Sequence, residues 1–155
     1  AQHYYPILRK AEVFLNYAEA ANEAWGPKGK DPDGICKFTA YQVIKTIRQT
    51  SGGITDTKYL DEMAASKESF RILIQNERRL ELAFENQRYY DMRRCLLPLN
   101  EAVKGVLVTK EGDDLIYTFQ KVEDRKFDGI RYYYSPLPYY ECVKNPNLVN
   151  NLGWK

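Results

Sequence analysis

Three glutamates, Glu77, Glu81 and Glu85, recur every four residues within a segment of helical periodicity. This spacing places three carboxylates on one helix face, so acid–base hydrolysis of a glycosidic bond is the first chemistry to consider. Glycosidases hold two carboxyl groups on opposite sides of the sugar, and one of them must be protonated to act as the acid. Carboxylates that share a helix face with several arginines are instead held ionised. The pattern therefore predicts structural ion pairs and no enzyme.

Glu77 lies where the helical pattern requires an apolar residue. The apolar positions around it have the spacing of one buried face and comprise Phe70, Leu73, Ile74, Leu80, Ala83 and Phe84. A buried carboxylate must be paired, and arginine is the cation best suited to a bidentate contact. The arginines available in this segment are Arg78, Arg79, Arg88, Arg93 and Arg94. We predict a charge lattice that fixes how the helix packs, made of Glu77, Arg78, Glu81, Arg88 and Asp91.

Other catalytic and metal-binding patterns find little support. A di-iron helical bundle needs two Glu-x-x-His motifs, one on each of two helices. His3 is the single histidine of the sequence, so two such motifs cannot be formed. Asp31, Asp33 and Gly34 resemble part of a calcium loop, but Ile35 follows them and no glutamate stands at the twelfth position. The three cysteines are Cys36, Cys95 and Cys142. Their wide spacing and odd number argue against a zinc site and against a disulfide framework. We expect no metal and no cofactor.

Trp25 is the aromatic residue with the best case for sugar binding. It ends the first predicted helix beside a Gly-Pro pair, and an exposed indole offers a flat apolar surface on which a pyranose ring can stack. It also lies on the same stripe as Ala18 and Ala21, which would place it in the core at the helix end. Trp25 is therefore a candidate carbohydrate-binding residue with a structural alternative.

The elements that position these residues are mainly helices. Apolar spacing predicts a first helix over residues 7–24 and a second from a capping box at Thr39 and Gln42, with Phe38 and Val43 as a hydrophobic staple. The second helix ends at 52–53, and its buried face comprises Ala40, Val43, Ile44 and Ile47. A small-residue face on the first helix lets the second pack closely against it. We predict an antiparallel helix pair within residues 1–53.

The rest of the chain divides into a segment of predicted helices and a less regular C-terminal part. A short helical turn is predicted at 59–64, followed by helices over 66–86 and 88–96, within a segment 66–97. Weak alternation over 105–110 and 115–121 around a turn at 111–114 predicts a β-hairpin. The part of segment 98–155 that follows the hairpin contains Pro136, Pro138 and Pro146 and is expected to be extended or irregular, with Trp154 as an anchor.

Composition and charge narrow the range of partners and locations to consider. A net charge of +2 on 155 residues, with acids and bases interleaved, gives no case for nucleic acid as a partner. No apolar run approaches the ~20 residues of a membrane span, and no secretion signal begins the chain. The abrupt helical start leads us to expect a fragment of a longer protein.

Three motifs, in order along the chain, resemble the SusD/RagB family of glycan-binding surface lipoproteins from Bacteroidetes. Residues 77–94 follow the family pattern E-R-R-x-E-L-A-F-E-G-x-R-Y-x-D-x-R-R, with Asn86 where glycine is usual. Residues 8–20 are similar to its R-x-A-E-V-x-L-x-Y-A-E-A helix. Residues 145–154 resemble its closing N-P-N-L-x-Q-N-P-G-W, with Asn150 for glutamine and Leu152 for proline. The resemblance covers essentially the whole chain.

The resemblance implies a mostly α fold, with tetratricopeptide-like helical hairpins forming part of an α–α superhelix, and it identifies the chain as the C-terminal portion of such a protein. It implies a non-catalytic glycan- or nutrient-binding component of an outer-membrane uptake system. The implied partners are an oligosaccharide, a TonB-dependent SusC-like transporter and a missing N-terminal part of the same chain, which would carry a lipid anchor to the cell surface. In relatives the sugar contacts lie mainly upstream, so this portion would provide scaffold and transporter contact. No family binding residue carries over.

Two rival interpretations remain open. The first is a tetratricopeptide-type protein-interaction scaffold without a carbohydrate role, and the second is a degenerate glycosidase domain. Exposed aromatics in a plane would favour sugar binding, whereas a concave helical groove would favour a peptide. We also expect an apolar patch on the first two helices that the missing N-terminal part normally covers, and that is left exposed in this fragment or covered by self-association.

Overall fold

The computed structural model of the chain describes residues 8–127 and 129–154. Within these residues it contains six α-helices, one two-stranded antiparallel sheet and one 3-10 helix. In chain order they are α1 Lys10–Trp25, α2 Ala40–Gly52, α3 Lys58–Met63, α4 Lys67–Glu81, α5 Gln87–Arg94, β1 Val103–Glu111, β2 Asp114–Glu123, η1 Ile130–Tyr133 and α6 Tyr139–Lys144. The chain forms two compact units, Ala1–Arg88 and Tyr89–Lys155. The mostly α fold with a small β-hairpin is as predicted.

The first unit is built on α1, which packs against both α2 and α4. Ala18 and Ala21 are buried on α1, and these small side chains allow the neighbouring backbones to approach closely. Arg9, just before α1, and Ser51, at the end of α2, both contact the Glu81 carboxylate. The start of α1 therefore lies beside the ends of α2 and α4, and α1 runs antiparallel to both. Residue 7, where the first helix was predicted to begin, lies outside the described residues.

α2 forms as predicted. The Thr39 hydroxyl accepts a hydrogen bond from the Gln42 backbone N–H at 3.2 Å, and the Gln42 side chain accepts one from the Thr39 N–H at 2.9 Å. This capping box satisfies two backbone donors that the first helical turn leaves unpaired. All four residues of the predicted face are buried, namely Ala40, Val43, Ile44 and Ile47. Gly53 ends the helix in the left-handed conformation, where glycine is unstrained.

α4 ends earlier than the prediction of 66–86. The helix stops at Glu81, and Phe84 and Asn86 then adopt positive φ values of 66° and 61°. Glu77 is buried at its predicted core position, but the predicted apolar core positions after it are wrong: Leu80 is 71% exposed, Ala83 is exposed and Phe84 is fully exposed. The buried stripe instead follows the four-residue spacing from Phe70 to Leu82, which leaves Leu80 on the outer side of the helix. Phe84 lies outside the core because the chain leaves the helix before it.

α5 is also shorter than the predicted 88–96. It ends at Arg94, and Leu96 follows with a φ of 50°. The Leu97 N–H donates to the Met92 carbonyl at 2.8 Å, which satisfies one carbonyl of the last helical turn. The left-handed Leu96 therefore ends the helix two residues before the predicted boundary.

In the second unit, β1 and β2 form the predicted hairpin and extend beyond it at both ends. Glu111 pairs with Asp114 across a two-residue turn, and Gly112 has a φ of 64°. A glycine with positive φ at the first central position is typical of a type II′ turn, whose twist matches that of the strands. Every described residue of β2 is exposed, so neither face of the hairpin is buried within this structure.

The C-terminal segment is less irregular than predicted, since it contains η1 and α6. Side chains tie it together within the second unit: the Trp154 indole N–H donates to the Tyr134 carbonyl at 2.9 Å, and Asn150 Oδ1 accepts from the Leu137 N–H at 2.8 Å. Trp154 thus anchors the chain end. Among the described residues, none of the helices has the length and apolar character needed to cross a bilayer.

The capping box yields a stability prediction. Replacing Thr39 by alanine leaves the Gln42 N–H without its acceptor, and we expect the free energy of unfolding to fall by about 1 kcal/mol. Urea denaturation of T39A beside T46A measures this. Thr46 is exposed on the same helix and is the matched control, with an expected change below about 0.5 kcal/mol. Equal losses in the two variants would contradict a specific capping contribution.

Candidate functional site

Glu77 lies inside the core of the first unit, with 7% of its surface exposed. Its carboxylate forms an ion pair with Arg48 of α2. Arg48 was missing from the predicted partners, which were all drawn from the segment that contains Glu77. A signal for it existed, because Arg48 follows Ile44 by four residues and therefore lies on the buried face of α2. The pair joins α2 to α4 and leaves neither group available as a general acid.

Arg78 is buried beside Glu77 and reaches α1. It is 4% exposed and donates to Asn16 Oδ1 at 2.5 Å. A second polar contact between the same helices involves Asn22, which is fully buried and donates from Nδ2 to the Lys67 carbonyl at 3.0 Å. Neither asparagine was predicted. Asn22 lies on the otherwise apolar stripe of α1, and its polar type there was the available signal, whereas Asn16 lies at an exposed position of the helix, where a polar residue gives no signal.

Arg9 brings Glu81 and Glu85 together. Its Nη1 lies 3.0 Å from Glu81 Oε1, and its Nε lies 2.7 Å from Glu85 Oε1. The same guanidinium also donates to the Glu81 carbonyl at the end of α4, so it caps that helix. Glu85 lies beyond the helix end, and the expectation that the three glutamates share one helix face is therefore wrong. These contacts hold the start of α1 against the end of α4.

The remaining lattice residues lie on α5. Asp91 is 5% exposed and contacts Arg94, whose Nη2 and Nε lie 2.8 and 2.9 Å from Asp91 Oδ1. Arg88 is half-buried at the start of the same helix. A further ion-pair cluster was not predicted: the Arg71 guanidinium donates to both oxygens of Glu23 at 2.6 and 2.7 Å. This hydrogen bonding holds the pKa of Glu23 below its ordinary value, and Lys67 adds to the effect.

Trp25 is half-buried and packs against the core of the first unit. The loop after α1 folds back tightly on it, since a Cβ at Gly29 would lie 1.8 Å from the Trp25 carbonyl oxygen. The indole therefore lies where the structural alternative placed it, at the end of the helix, rather than as an open platform for sugar stacking.

The loop that resembles a calcium site is held by its own backbone. Asp31 accepts hydrogen bonds from the N–H groups of Cys36 at 2.8 Å and Asp33 at 3.1 Å, and these bonds lower the pKa of Asp31. In the described part of the chain, no group of three or more histidine, cysteine, aspartate or glutamate side chains is placed to hold a metal ion. Asp31 therefore stabilises a turn in this structure.

Tyrosines and other aromatics divide into structural and exposed groups. The Tyr133 hydroxyl donates to the Leu97 carbonyl at 2.8 Å, and the Tyr17 hydroxyl donates to the Phe38 carbonyl at 2.6 Å, so both stabilise loops. Tyr139 and Tyr140 are each 75% exposed and pack edge to face with each other. The exposed group also includes two aromatic residues of β2, Tyr117 and Phe119.

An apolar groove opens between α1 and α2. It has a volume of about 140 Å³ and is lined by Phe14, Phe38, Gln42, Val43, Thr46 and Ile47. We call it the α1–α2 groove. Phe14 is 37% exposed and Phe38 is 59% exposed, so two aromatic rings face solvent at its edge. Such a surface favours contact with another helix or peptide over catalysis.

The buried ion pair yields a second prediction. Arg48→Met leaves the Glu77 carboxylate buried without its partner, and we expect a loss of about 3 kcal/mol in the free energy of unfolding. The double variant R48M/E77L removes both charges and should recover most of that loss. Denaturant unfolding of the wild type, both single variants and the double variant completes the cycle. Additive losses would show that the two residues do not act as a pair.

Comparisons with known proteins agree with this fold. A family model described as the SusD family matches residues 1–154. SusD-like protein P2 of Formosa agariphila is 30% identical over 153 residues, covering 97% of this chain and 26% of that protein. The crystal structure of a SusD-like protein from Bacteroides fragilis is 33% identical with a TM-score of 0.65, covering 96% of this chain and 25% of the other.

The chain thus spans about a quarter of the length of both relatives. The family model matches from the first residue to the last but one, and the relatives match in sequence and in fold over nearly the same residues. The predicted membership is confirmed: this chain belongs to the SusD family.

Proposed function

We propose that the chain is a non-catalytic part of a glycan- or nutrient-binding protein in an outer-membrane uptake system. The observation that carries this proposal is the SusD-family match over residues 1–154. Because the relatives are about four times longer, the activity belongs to the whole protein, and this part contributes mainly scaffold. The family resemblance supports a cell-surface location at the outer membrane, through a lipid anchor on a segment that these residues do not include.

The arrangement of carboxylates supports a binding role without catalysis. Glu77 pairs with Arg48, while Glu81 and Glu85 share Arg9. A glycosidase needs two carboxyl groups facing each other across a sugar, one protonated and one free to attack or activate water. Each of these three glutamates is instead committed to a guanidinium that holds helices or helix ends together.

The α1–α2 groove supports the scaffold role. Tetratricopeptide-type repeats bury a continuous core by stacking against neighbouring helix pairs, so an unpaired side of one hairpin is a stacking surface. We assign the groove to a helix from the part of the polypeptide that lies outside these residues. On the basis of the family resemblance, we propose that the helical repeats face a TonB-dependent SusC-like transporter and that the α1–α2 pair belongs to that support.

A second candidate function rests on the same groove. Its apolar lining also fits an amphipathic peptide, as expected for a tetratricopeptide-type interaction scaffold without a carbohydrate role. The two candidates differ in their ligand: the first requires that the full-length protein binds oligosaccharides, and the second does not.

Calorimetric titration of the full-length protein with plant, host and starch oligosaccharides tests the proposed function. We expect binding of at least one class of glycan, with no release of reducing ends during prolonged incubation. Trp25→Ala should leave the affinity unchanged within about twofold, because its indole packs against the core. Cleavage of an oligosaccharide that is lost in Glu81→Gln would support the glycosidase interpretation. The absence of measurable binding to every glycan tested would favour the interaction scaffold.

A charge substitution in the groove tests the scaffold assignment. Phe38 is 59% exposed here, so Phe38→Asp would cost little if the groove stayed open. If another part of the full-length protein covers it, we expect the substitution to lower the free energy of unfolding by about 2 kcal/mol. Ile35→Asp is the control, since Ile35 is 80% exposed three residues away. Equal effects of the two variants on thermal unfolding would refute burial of the groove.

A further inference from the structure

One face of the β1–β2 hairpin presents an exposed aromatic and aliphatic surface. The strand register places Val106 opposite Phe119 and Val108 opposite Tyr117. Side chains two residues apart on a strand point to the same side, so these four form one patch, which we call the hairpin face. Their exposures range from 49% for Val108 to 74% for Phe119. An apolar patch of this kind marks a binding surface.

Lysines flank the hairpin face at both ends. Lys104 lies opposite Lys121 beyond the Val106 pair, and Lys110 lies two residues beyond Val108 on the same side. Like charges directly opposite each other are unfavourable in a sheet. Lys121 is neutralised by Asp124 at 2.8 Å, but no carboxylate of the described residues forms an ion pair with Lys104 or Lys110. The face therefore carries uncompensated positive charge.

The negative charges of the hairpin lie elsewhere. Glu111 and Asp114 lie opposite each other at the turn, Asp113 lies within the turn, and Glu123 lies opposite Val103 at the other end of the hairpin. Glu111 is an odd-numbered residue of β1, so it belongs to the side opposite Val106, Val108 and Lys110. This acidic tip opposes insertion of the hairpin into an anionic membrane surface. The positive charge is restricted to the side that also carries the aromatic rings.

We propose that the hairpin face binds an acidic glycan, meaning a linear oligosaccharide that carries carboxylate or sulfate groups. The proposal rests on the proposed function and specifies its ligand class. Tyr117 and Phe119 supply apolar surface for stacking against sugar rings, and Lys104 and Lys110 supply the complementary charge. This open hairpin face differs from the helical scaffold of the first unit, where charged groups are paired internally.

Distances along the strand define the kind of ligand. Lys104 and Lys110 are six residues apart, which corresponds to about 20 Å between their Cα atoms at about 3.3 Å per residue. A single small anion cannot contact both ends, whereas an extended chain of sugars can lie across the aromatic centre and meet a lysine at each end. An acidic protein would match the charge but is expected to bring an anchor that fills a pocket, and the hairpin face is open.

The test compares matched probes on the full-length protein. The carboxylated pair is polygalacturonate and its methyl ester, and the sulfated pair is dextran sulfate and dextran. We expect affinity for the charged member of at least one pair to exceed that for the neutral member by about tenfold, which corresponds to about 1.4 kcal/mol. The difference should shrink as salt rises, because exposed charges are screened. The pair that responds identifies the anionic group.

Variants locate the site. K104Q/K110Q should remove the preference for the charged probe, and Y117A/F119A should weaken binding of that probe by about tenfold. Leu107→Ala on the opposite side of the hairpin and Lys45→Gln on α2 are the controls, with changes below about twofold. The circular dichroism spectra of all variants should match that of the wild type.

Four outcomes would overturn the proposal. Equal affinity for the charged and neutral members of both pairs, or a preference for the charged probe that survives both hairpin variants, would reject the hairpin site while leaving the proposed glycan function intact. Failure to bind any glycan would reject both. Protection of Tyr117 and Phe119 by a copurifying acidic protein, with no response to either glycan pair, would assign the hairpin face to a protein partner instead.

Discussion

The helical unit depends on charge that is buried within its core. Glu77 and Arg78 occupy adjacent positions on the inner side of α4, one paired with Arg48 of α2 and the other donating to Asn16 of α1. Charged groups that are removed from water are costly unless they meet their partners, so each contact fixes the position of a neighbouring helix. Apolar packing alone would tolerate small rotations of the helices, whereas these contacts select one arrangement. In this chain, Glu77 and Arg78 therefore help to specify how the helices pack.

The dependence of the fold on contacts between distant residues explains which parts of it could be predicted from the sequence. The face and cap of α2 depend on local spacing and on one residue pair three positions apart, and both are as predicted. The end of α4 depends on Arg9, which caps it from 72 positions earlier in the sequence. Apolar periodicity continues through Phe84, so the pattern alone extends the helix too far. A contact of that separation has no trace in local periodicity, and the three-glutamate face was mispredicted for the same reason.

In the candidate site, too, local spacing predicted some features and only long-range packing determined the others. That Glu77 needed a cation could be inferred from its position among Phe70, Leu73 and Ile74, but the partner came from another helix. Local reasoning favoured nearby arginines because separation in sequence was the available measure of proximity. Trp25 had two interpretations that only packing could separate, and its indole packs against the core. Alternation predicted the strands of the hairpin, but an alternating pattern does not reveal whether either side will be buried.

The buried charges of the first unit contrast with the lysines on the hairpin face of the second. In the first, arginines and glutamates neutralise one another, as Arg71 and Glu23 do, and the larger aromatic Phe70 lies fully inside. In the second, Lys104 and Lys110 remain exposed beside Tyr117 and Phe119. A two-stranded hairpin gains little stability from burying its own side chains, so its exposed apolar surface is not explained by folding. The proposed binding of an acidic glycan accounts for that surface, and under this proposal ligand contact lies on the element that contributes least to the core.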